Sequence, residues 1–464
     1  MSLLPPETSE PSSAHPLPFR EALATWLKVG LLSFGGPAGQ IAVMHRLLVE
    51  EKRWVREERF LAALNYCMLL PGPEAQQLAT YLGWLLHGLA GGLAAGVLFV
   101  VPGALVMLAL AALYASFSGV GVVAAIFWGI KPAVLAIVVE ALLRIGRRAL
   151  GTPVKWGLAA LAFVALFFFG VRFPWVIAAA GLAGALAVRL GLPGFSPARA
   201  AGTSGAAAEE SAPVAAWVEQ RASTRRAGWR STLATVFVWA ALWWLPVLAL
   251  LALLGRGNVF VESALFFAVA AMVTFGGAYA VLAYVAQRVV SGYGWLSAGE
   301  MLDGLGLAET TPGPLILVLQ FVGFLAAYHR PGGLPPLLAG TLGALLTLWV
   351  TFLPSFLWIF TGAPHLERVQ RRPALAGALA AITAAVVGVV MNLTLWLALQ
   401  VLFPRGGHPG PASLPPLPML PGLDGAAALL AGAALVATLR FRVGMGWLLA
   451  GAGLAGILWQ RLIS

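Results

Sequence analysis

Charge is the scarcest commodity in this chain: only 10% of its 464 residues are Asp, Glu, Lys or Arg, against roughly 25% in an ordinary soluble domain. With 60% of the residues apolar and a mean hydropathy of +0.88, no water-soluble fold could hide so much hydrocarbon. Cysteine is nearly absent. The single Cys67 excludes an intrachain disulfide and any multi-cysteine metal cluster. A secretory signal is missing as well, since residues 1–18 are polar and proline-bearing, with neither a basic start nor an apolar centre. The first hydrophobic segments are therefore expected to act as their own insertion signals, with nothing cleaved. No Gly-rich phosphate loop, His-Glu-x-x-His pattern or Ser-His-Asp set is present, and the six His residues are scattered. A catalytic set, a metal and a cofactor are all unexpected.

What remains is a series of apolar runs, such as 232–254 and 374–401, that reach the ~20 residues a helix needs to cross a ~30 Å hydrocarbon core. The expected fold class is an all-α polytopic membrane protein with about thirteen hydrophobic segments, by the window rule. They fall at 22–44, 61–82, 84–114, 118–143, 154–170 and 173–191, then at 231–254, 259–286, 304–328, 334–361, 373–403, 424–439 and 443–461. Between the two groups, residues 192–230 alternate Ala, Ser, Gly, Pro and charge without periodicity and read as a flexible cytoplasmic linker. The domains are accordingly 1–191, an N-terminal repeat, and 231–464, a connecting helix followed by a C-terminal repeat.

The repeat itself is visible in rare motifs held at one spacing. Phe34-Gly35-Gly36 recurs as Phe275-Gly276-Gly277, Trp54 as Trp295, and Pro71-Gly72-Pro73 as Pro312-Gly313-Pro314, each 241 residues later (275 − 34, 295 − 54, 312 − 71). Pro102 and Pro354 pair at 252, which requires an insertion of 11 residues (252 − 241) near Pro331 to Pro336. Six segments per repeat plus one between them put an odd number of crossings between equivalent points, so the second repeat is expected to be inverted.

Lysine and arginine orient the chain, and the net charge of +11 is read as this topological signal and not as a nucleic-acid footprint. Arg144, Arg147, Arg148, Lys155, Arg221, Arg225, Arg226, Arg230, Arg368, Arg371, Arg372, Arg440 and Arg442 fall on one side, which the positive-inside rule makes cytoplasmic. One loop disagrees. Arg46, Lys52, Arg53, Arg56 and Arg59 lie outside if 22–44 and 61–82 both span, and inside if both are re-entrant hairpins, which is the preferred reading.

The motifs Phe34-Gly35-Gly36-Pro37 and Leu70-Pro71-Gly72-Pro73-Glu74 interrupt apolar segments, and Gly and Pro there predict broken helices with new starts at Pro37 and Pro73. Broken backbone at membrane depth survives only when buried in protein or lining a wet cavity. Free N–H groups and the positive dipole end at such starts form an anion site, and matched breaks in inverted repeats point to a transporter's binding site. The plain alternative is that Gly and Pro only permit kinks or close packing.

Ionisable residues inside apolar segments are costly and so are functional candidates. Lys28 and Lys131 can offset an anion's charge, although Lys28 can equally snorkel to the interface. Glu74 and Glu309 are proton-coupling candidates, with helix capping the alternative for Glu74. Gln40, Gln76, Gln77, Gln320, Asn65, Thr274, Thr310, Thr311 and Tyr279 add uncharged donors near the breaks, suited either to an oxyanion or to interhelical hydrogen bonds.

At these residues the chain resembles the chromate ion transporter family in its long, two-domain form. The likeness lies in Leu32 to Pro37 with Gln40-Ile41-Ala42, in Leu70 to Gln77, and in Gly129-Ile130-Lys131-Pro132-Ala133. Thr274 to Gly277 and Glu309 to Pro314 are the C-terminal counterpart. The resemblance implies gradient-driven efflux of chromate from the cytoplasm, with chromate resistance as the outcome and sulfate as the natural competitor. It implies a multi-pass protein of the bacterial inner membrane whose partners are the anion and the lipid bilayer, compatible with a homodimer. An anion channel, a carrier of sulfate or another anion, and a membrane-embedded enzyme or scaffold are the alternatives, the last disfavoured because no catalytic set is visible. The halves differ: Pro37 is matched by Ala278, Glu74 by Leu315, and Lys131 by a residue near Thr383, so the first half carries more of the candidate chemistry.

Overall fold

The computed structural model describes residues 17–34, 36–191, 195, 213–224, 228–275, 277–365, 373–404 and 422–463. Among them every regular element is helical. The chain opens with α1 (Phe19–Leu32) and α2 (Gly36–His45), the latter continued by a π-helical turn at Arg46–Glu51. These two are not one crossing. The ammonium of Lys52, just past the turn, lies 2.7 Å from the Glu21 carboxylate in the first turn of α1, so the chain enters and leaves at one level.

The next pair repeats this. α3 (Glu57–Cys67) runs in, and the first arm of α4 (Glu74–Phe117) runs back out to His87. The His87 ring is hydrogen-bonded at 2.9 Å to the Leu17 carbonyl, where the first hairpin began. At His87 and Gly88 the helical geometry is lost, and Gly88, at φ +67°, lets the chain reverse into a second, longer arm. The arms pack backbone to backbone, because a Cβ on Gly83 would stand 2.4 Å from the Gly91 carbonyl oxygen.

Three long helices follow: α5 (Gly121–Ala149), α6 (Pro153–Phe167) and α7 (Phe173–Arg189). The connector, expected to be a flexible linker, contains α8 (Pro213–Thr224). Ala, Val, Glu and Gln in this stretch are adequate helix formers. Val218 is buried, and Arg59 holds Glu219 at 2.6 Å, so tertiary contact supplies what the local pattern lacked. α9 (Trp229–Leu254) leads into the second half.

There the hairpins recur as α10 (Val259–Met272) with α11 (Ala278–Gln287), and α12 (Ala298–Thr310) with α13 (Val318–His329). The apolar stretches 259–286 and 304–328 are thus each two helices around a break. His329 is bonded at 3.1 Å to the Trp295 carbonyl, and the Arg330 guanidinium donates to the Tyr293 carbonyl at 2.9 Å, so these ends meet as well. α14 (Pro336–Gly362) returns against α13, with a Cβ on Gly343 reaching within 2.4 Å of the Gly323 carbonyl oxygen. The matching reversals differ in length. Gly91 lies 8 positions after Gly83 and Gly343 lies 20 after Gly323, so the second reversal is longer by 12 (20 − 8), within one residue of the inferred insertion of 11 and in the α13–α14 loop. α15 (Pro373–Leu402), α16 (Gly425–Leu439) and α17 (Met445–Ile463) complete the chain.

Five helices, α4, α5, α9, α14 and α15, are long and apolar enough to cross a membrane. The perimeter agrees with that solvent: Phe237, Leu253, Leu429 and Trp447 are each at least 75% exposed, an apolar surface that water would not tolerate.

Candidate substrate site

Each hairpin tip turns on a glycine. Gly36, Gly72, Gly277 and Gly313 have φ of +72°, +122°, +102° and +89°, the left-handed region that a side chain makes costly. That requirement is why the motifs keep glycine in both halves. Gly35 and Gly276, the first glycines of the paired motifs, lie outside the described residues.

The four tips meet. The Gly72 N–H donates to the Thr274 carbonyl at 2.8 Å, and the Gly313 N–H donates to the Ser33 carbonyl at 2.7 Å. Because 33 + 241 = 274 and 72 + 241 = 313, this is one bond made twice, each Pro-Gly-Pro tip paired with the Gly-Gly tip of the other half. The hydroxyls behave alike, Ser33 donating to the Val29 carbonyl and Thr274 to the Ala270 carbonyl, both at 2.6 Å. Gln40 adds a bond without a counterpart, its amide nitrogen donating to the Gly313 carbonyl at 2.6 Å.

Around these bonds lies a small cavity to which all four hairpins contribute. Pro37 and Gln40 line it from the first, Gly72 to Ala75 from the second, Thr274, Gly277 and Ala278 from the third, and Pro314 to Ile316 from the fourth. Its free volume is about 20 Å³, enough for a single water. Its electrostatics come from backbone. The helix starts at Glu74, Ala278 and Leu315 carry no side-chain cap. Starts left uncapped around one cavity direct positive dipole ends into it. The new helices begin at Gly36 and Glu74, each one residue from the expected Pro37 and Pro73.

The remaining candidates divide by position. Gln76 and Gln77 are fully buried behind the cavity; Gln77 donates to the Pro71 carbonyl at 2.7 Å, while both polar ends of Gln76 lack a hydrogen-bond partner among the described residues. The Pro312 carbonyl faces Gly103 of α4, Thr311 is turned back onto the Leu307 carbonyl, and the Tyr279 hydroxyl donates to Glu309 at 2.7 Å. Phe34 is 48% exposed and Phe275 half-buried, neither lining the cavity. Lys28 is exposed on α1, away from the tips. Lys131 lies elsewhere too, its ammonium 3.5 Å from the carboxylate of Asp303. Asp303, buried at 4% exposure, escapes a reading by hydropathy, because the apolar stretch 304–328 begins one residue after it and leaves the acid in the preceding loop. The Ser297–Glu300 capping box upstream, legible as S-x-x-E, marks the true helix start.

Gln40→Leu is expected to orphan the buried Gly313 carbonyl and to lower stability by about 1–3 kcal/mol, the cost of an unsatisfied buried group. A thermal-shift measurement on detergent-solubilised protein checks it; an unchanged midpoint would mean the bond contributes nothing.

Comparison with known proteins bears on this geometry. The chromate transporter family matches the chain twice, at residues 20–185 and 261–457, and the two matches begin 241 residues apart (261 − 20). A chromate transport protein of Pseudomonas aeruginosa is 33% identical over 416 residues, covering 86% of this chain and 88% of that protein. One from Cupriavidus metallidurans is 28% identical over 400 residues, covering 85% and 87%. A shorter relative, the uncharacterized transporter YwrB of Bacillus subtilis, is 28% identical over 150 residues, 32% of this chain but 76% of its own length. No solved structure matches.

Proposed function

This chain belongs to the chromate transporter family, and from that premise we propose that it carries chromate out of the cytoplasm by a secondary, gradient-driven mechanism through the cavity where its four hairpin tips meet. It is a multi-pass protein of the bacterial inner membrane and not an enzyme. The observation that carries the proposal is the doubled bond between the tips, Gly72 to Thr274 and Gly313 to Ser33, beside uncapped helix starts. A tetrahedral dianion offers acceptors on every side, which suits convergent N–H groups.

Inverted topology supports an alternating-access reading. Between the starts of α1 and α10 lie the second arm of α4, then α5, α6, α7 and α9, five passages and so an odd number. Treating 22–44 and 61–82 as re-entrant removes two of the seven crossings read from the sequence and keeps the parity. It also brings the loop bearing Arg46, Lys52 and Arg59 to the side of the connector, since Arg59 pairs with Glu219. That restores agreement with the positive-inside rule. The half-length relative in Bacillus subtilis favours one repeat as the structural unit.

The cavity holds about one water in this conformation, which favours a carrier over an open channel. Loading a dianion requires the tips to separate, at the expense of the two bonds between them. Glu74 lines the cavity, and its negative charge opposes a dianion, so the carboxyl has to be neutral when the site is filled. Export of a dianion from a negative-inside cell gains ~4.6 kcal/mol per 100 mV, twice the single-charge figure.

Inverted membrane vesicles test this directly. Uptake of labelled chromate is expected to saturate, to rise with an interior-positive potential and to be reduced by sulfate; non-saturating flux would favour the channel reading. Glu74→Gln is expected to flatten the pH dependence of uptake, because it removes the one titratable side chain that lines the cavity. An unaltered profile in well-expressed protein would remove Glu74 from the coupling.

A further inference from the structure

Lys131 and Asp303 form an ion pair across the two halves that neither the tips nor the cavity account for. Lys131 projects from α5 and Asp303 from α12, with 3.5 Å between Nζ and Oδ1. The other carboxylate oxygen accepts from the Tyr114 hydroxyl of α4 at 2.9 Å. The aspartate is 4% exposed, whereas the lysine side chain is 28% exposed, so one partner is fixed in protein and the other can be reached. A separation of 3.5 Å exceeds the ~2.7–2.9 Å of a formed ammonium–carboxylate hydrogen bond. Tyr114 therefore holds the carboxylate more closely than Lys131 does. The ammonium also packs against Gly299, where a Cβ would come within 3.3 Å of Nζ.

The pair has no twin. The repeat offsets carry Asp303 to Ala62 (303 − 241) and Lys131 to Thr383 (131 + 252), neither of them charged. Two access routes that inverted repeats would build alike are thus chemically different. The pair lies by the first turns of α12, at the end of the molecule where Tyr328 bonds the Ala115 carbonyl and Arg330 the Tyr293 carbonyl. This is the end away from Arg59 and the connector, which the positive-inside reading makes external.

We propose that Asp303 is a built-in counter-anion for Lys131, and that the oxyanion leaving the central cavity displaces it to bind Lys131 at an outer relay site before release. This rests on the transport reading above. An exit site must bind and then let go; a lysine that swings back to a fixed internal carboxylate releases its anion by competition, without a rearrangement of the helices. The chemistry selected is a divalent oxyanion, because a monoanion of equal charge to the carboxylate gains less from the exchange.

The test is inhibition of chromate uptake in inverted vesicles by chromate loaded into the lumen, which faces this end. Asp303→Asn removes the competitor while keeping the shape, and the luminal concentration that halves uptake is expected to fall about tenfold, the scale of one charge-assisted contact. The KM for chromate added outside the vesicles is expected to stay within about twofold, a split that a merely structural pair would not produce. If Asp303→Asn does not fold, Lys131→Gln replaces it and is expected to raise the luminal half-inhibiting concentration by about tenfold. Luminal inhibition unchanged in either folded variant, with wild type active, overturns the inference. A wild type that moves no chromate overturns the transport reading itself, and this inference with it.

Discussion

Gly72→Ala is expected to reduce chromate uptake into inverted vesicles at least tenfold and to lower stability by about 1–3 kcal/mol. Two costs add. At φ +122° any side chain is strained, and a Cβ there would lie 2.8 Å from the Gln77 amide nitrogen and 3.1 Å from the Ser355 hydroxyl. Gln77 could yield only by giving up the Pro71 carbonyl, which is part of the same tip. The Gly72 N–H would then lose its alignment with the Thr274 carbonyl, one of the paired backbone bonds between opposing tips. Gly313→Ala makes the comparison informative: it carries the backbone strain, at φ +89°, but its nearest neighbour is 3.3 Å away at a flexible Leu317 methyl. Its defect should be the smaller. Equal defects would mean that backbone conformation, and not contact with Gln77, limits transport. Wild-type uptake in Gly72→Ala, normalised to protein in the membrane, would sink the proposed site.

Gly103→Ala is the second large effect, and its cause is steric alone. Gly103 sits inside α4, where alanine is intrinsically favoured by about 1 kcal/mol over glycine. A Cβ at this position, however, would stand 2.0 Å from the Pro312 carbonyl oxygen, a backbone atom of the opposing tip, and 2.7 Å from Leu317. Since backbone cannot rotate away as a side chain can, the fourth hairpin must shift as a whole, with an overpacking cost of about 1–3 kcal/mol, and uptake is expected to fall below a tenth of wild type. Uptake and thermal midpoint measured on the same preparation check it. A stabilised, fully active Gly103→Ala would mean that helix propensity outweighs the contact and that the tip does not pack on α4 as described.

The breaks were legible because glycine and proline act locally: whatever surrounds them, they end helices, and their recurrence at 241 residues is arithmetic on the sequence. The expected starts at Pro37 and Pro73 fall one residue from the observed ones for that reason. Asp303 was not legible, because its meaning depends on Lys131, 172 residues away in sequence (303 − 131) and 3.5 Å away in space. Lys131, read as a charge donor to the anion, is already engaged, and no property of its own segment says so. The connector helix is a similar case, made by Arg59 and a buried Val218 where local pattern read as linker.

By itself, then, the sequence determined the solvent, the duplication and the positions of the breaks, since each depends on hydrophobicity or on backbone preferences that a residue carries with it. The positive-inside rule already favoured hairpins at 22–44 and 61–82; only the tertiary structure decided that 259–286 and 304–328 fold back likewise and that the four tips exchange Gly72–Thr274 and Gly313–Ser33 bonds. Those choices rest on pairings between distant residues, where hydrogen-bond geometry and burial, and not composition, set the free energy.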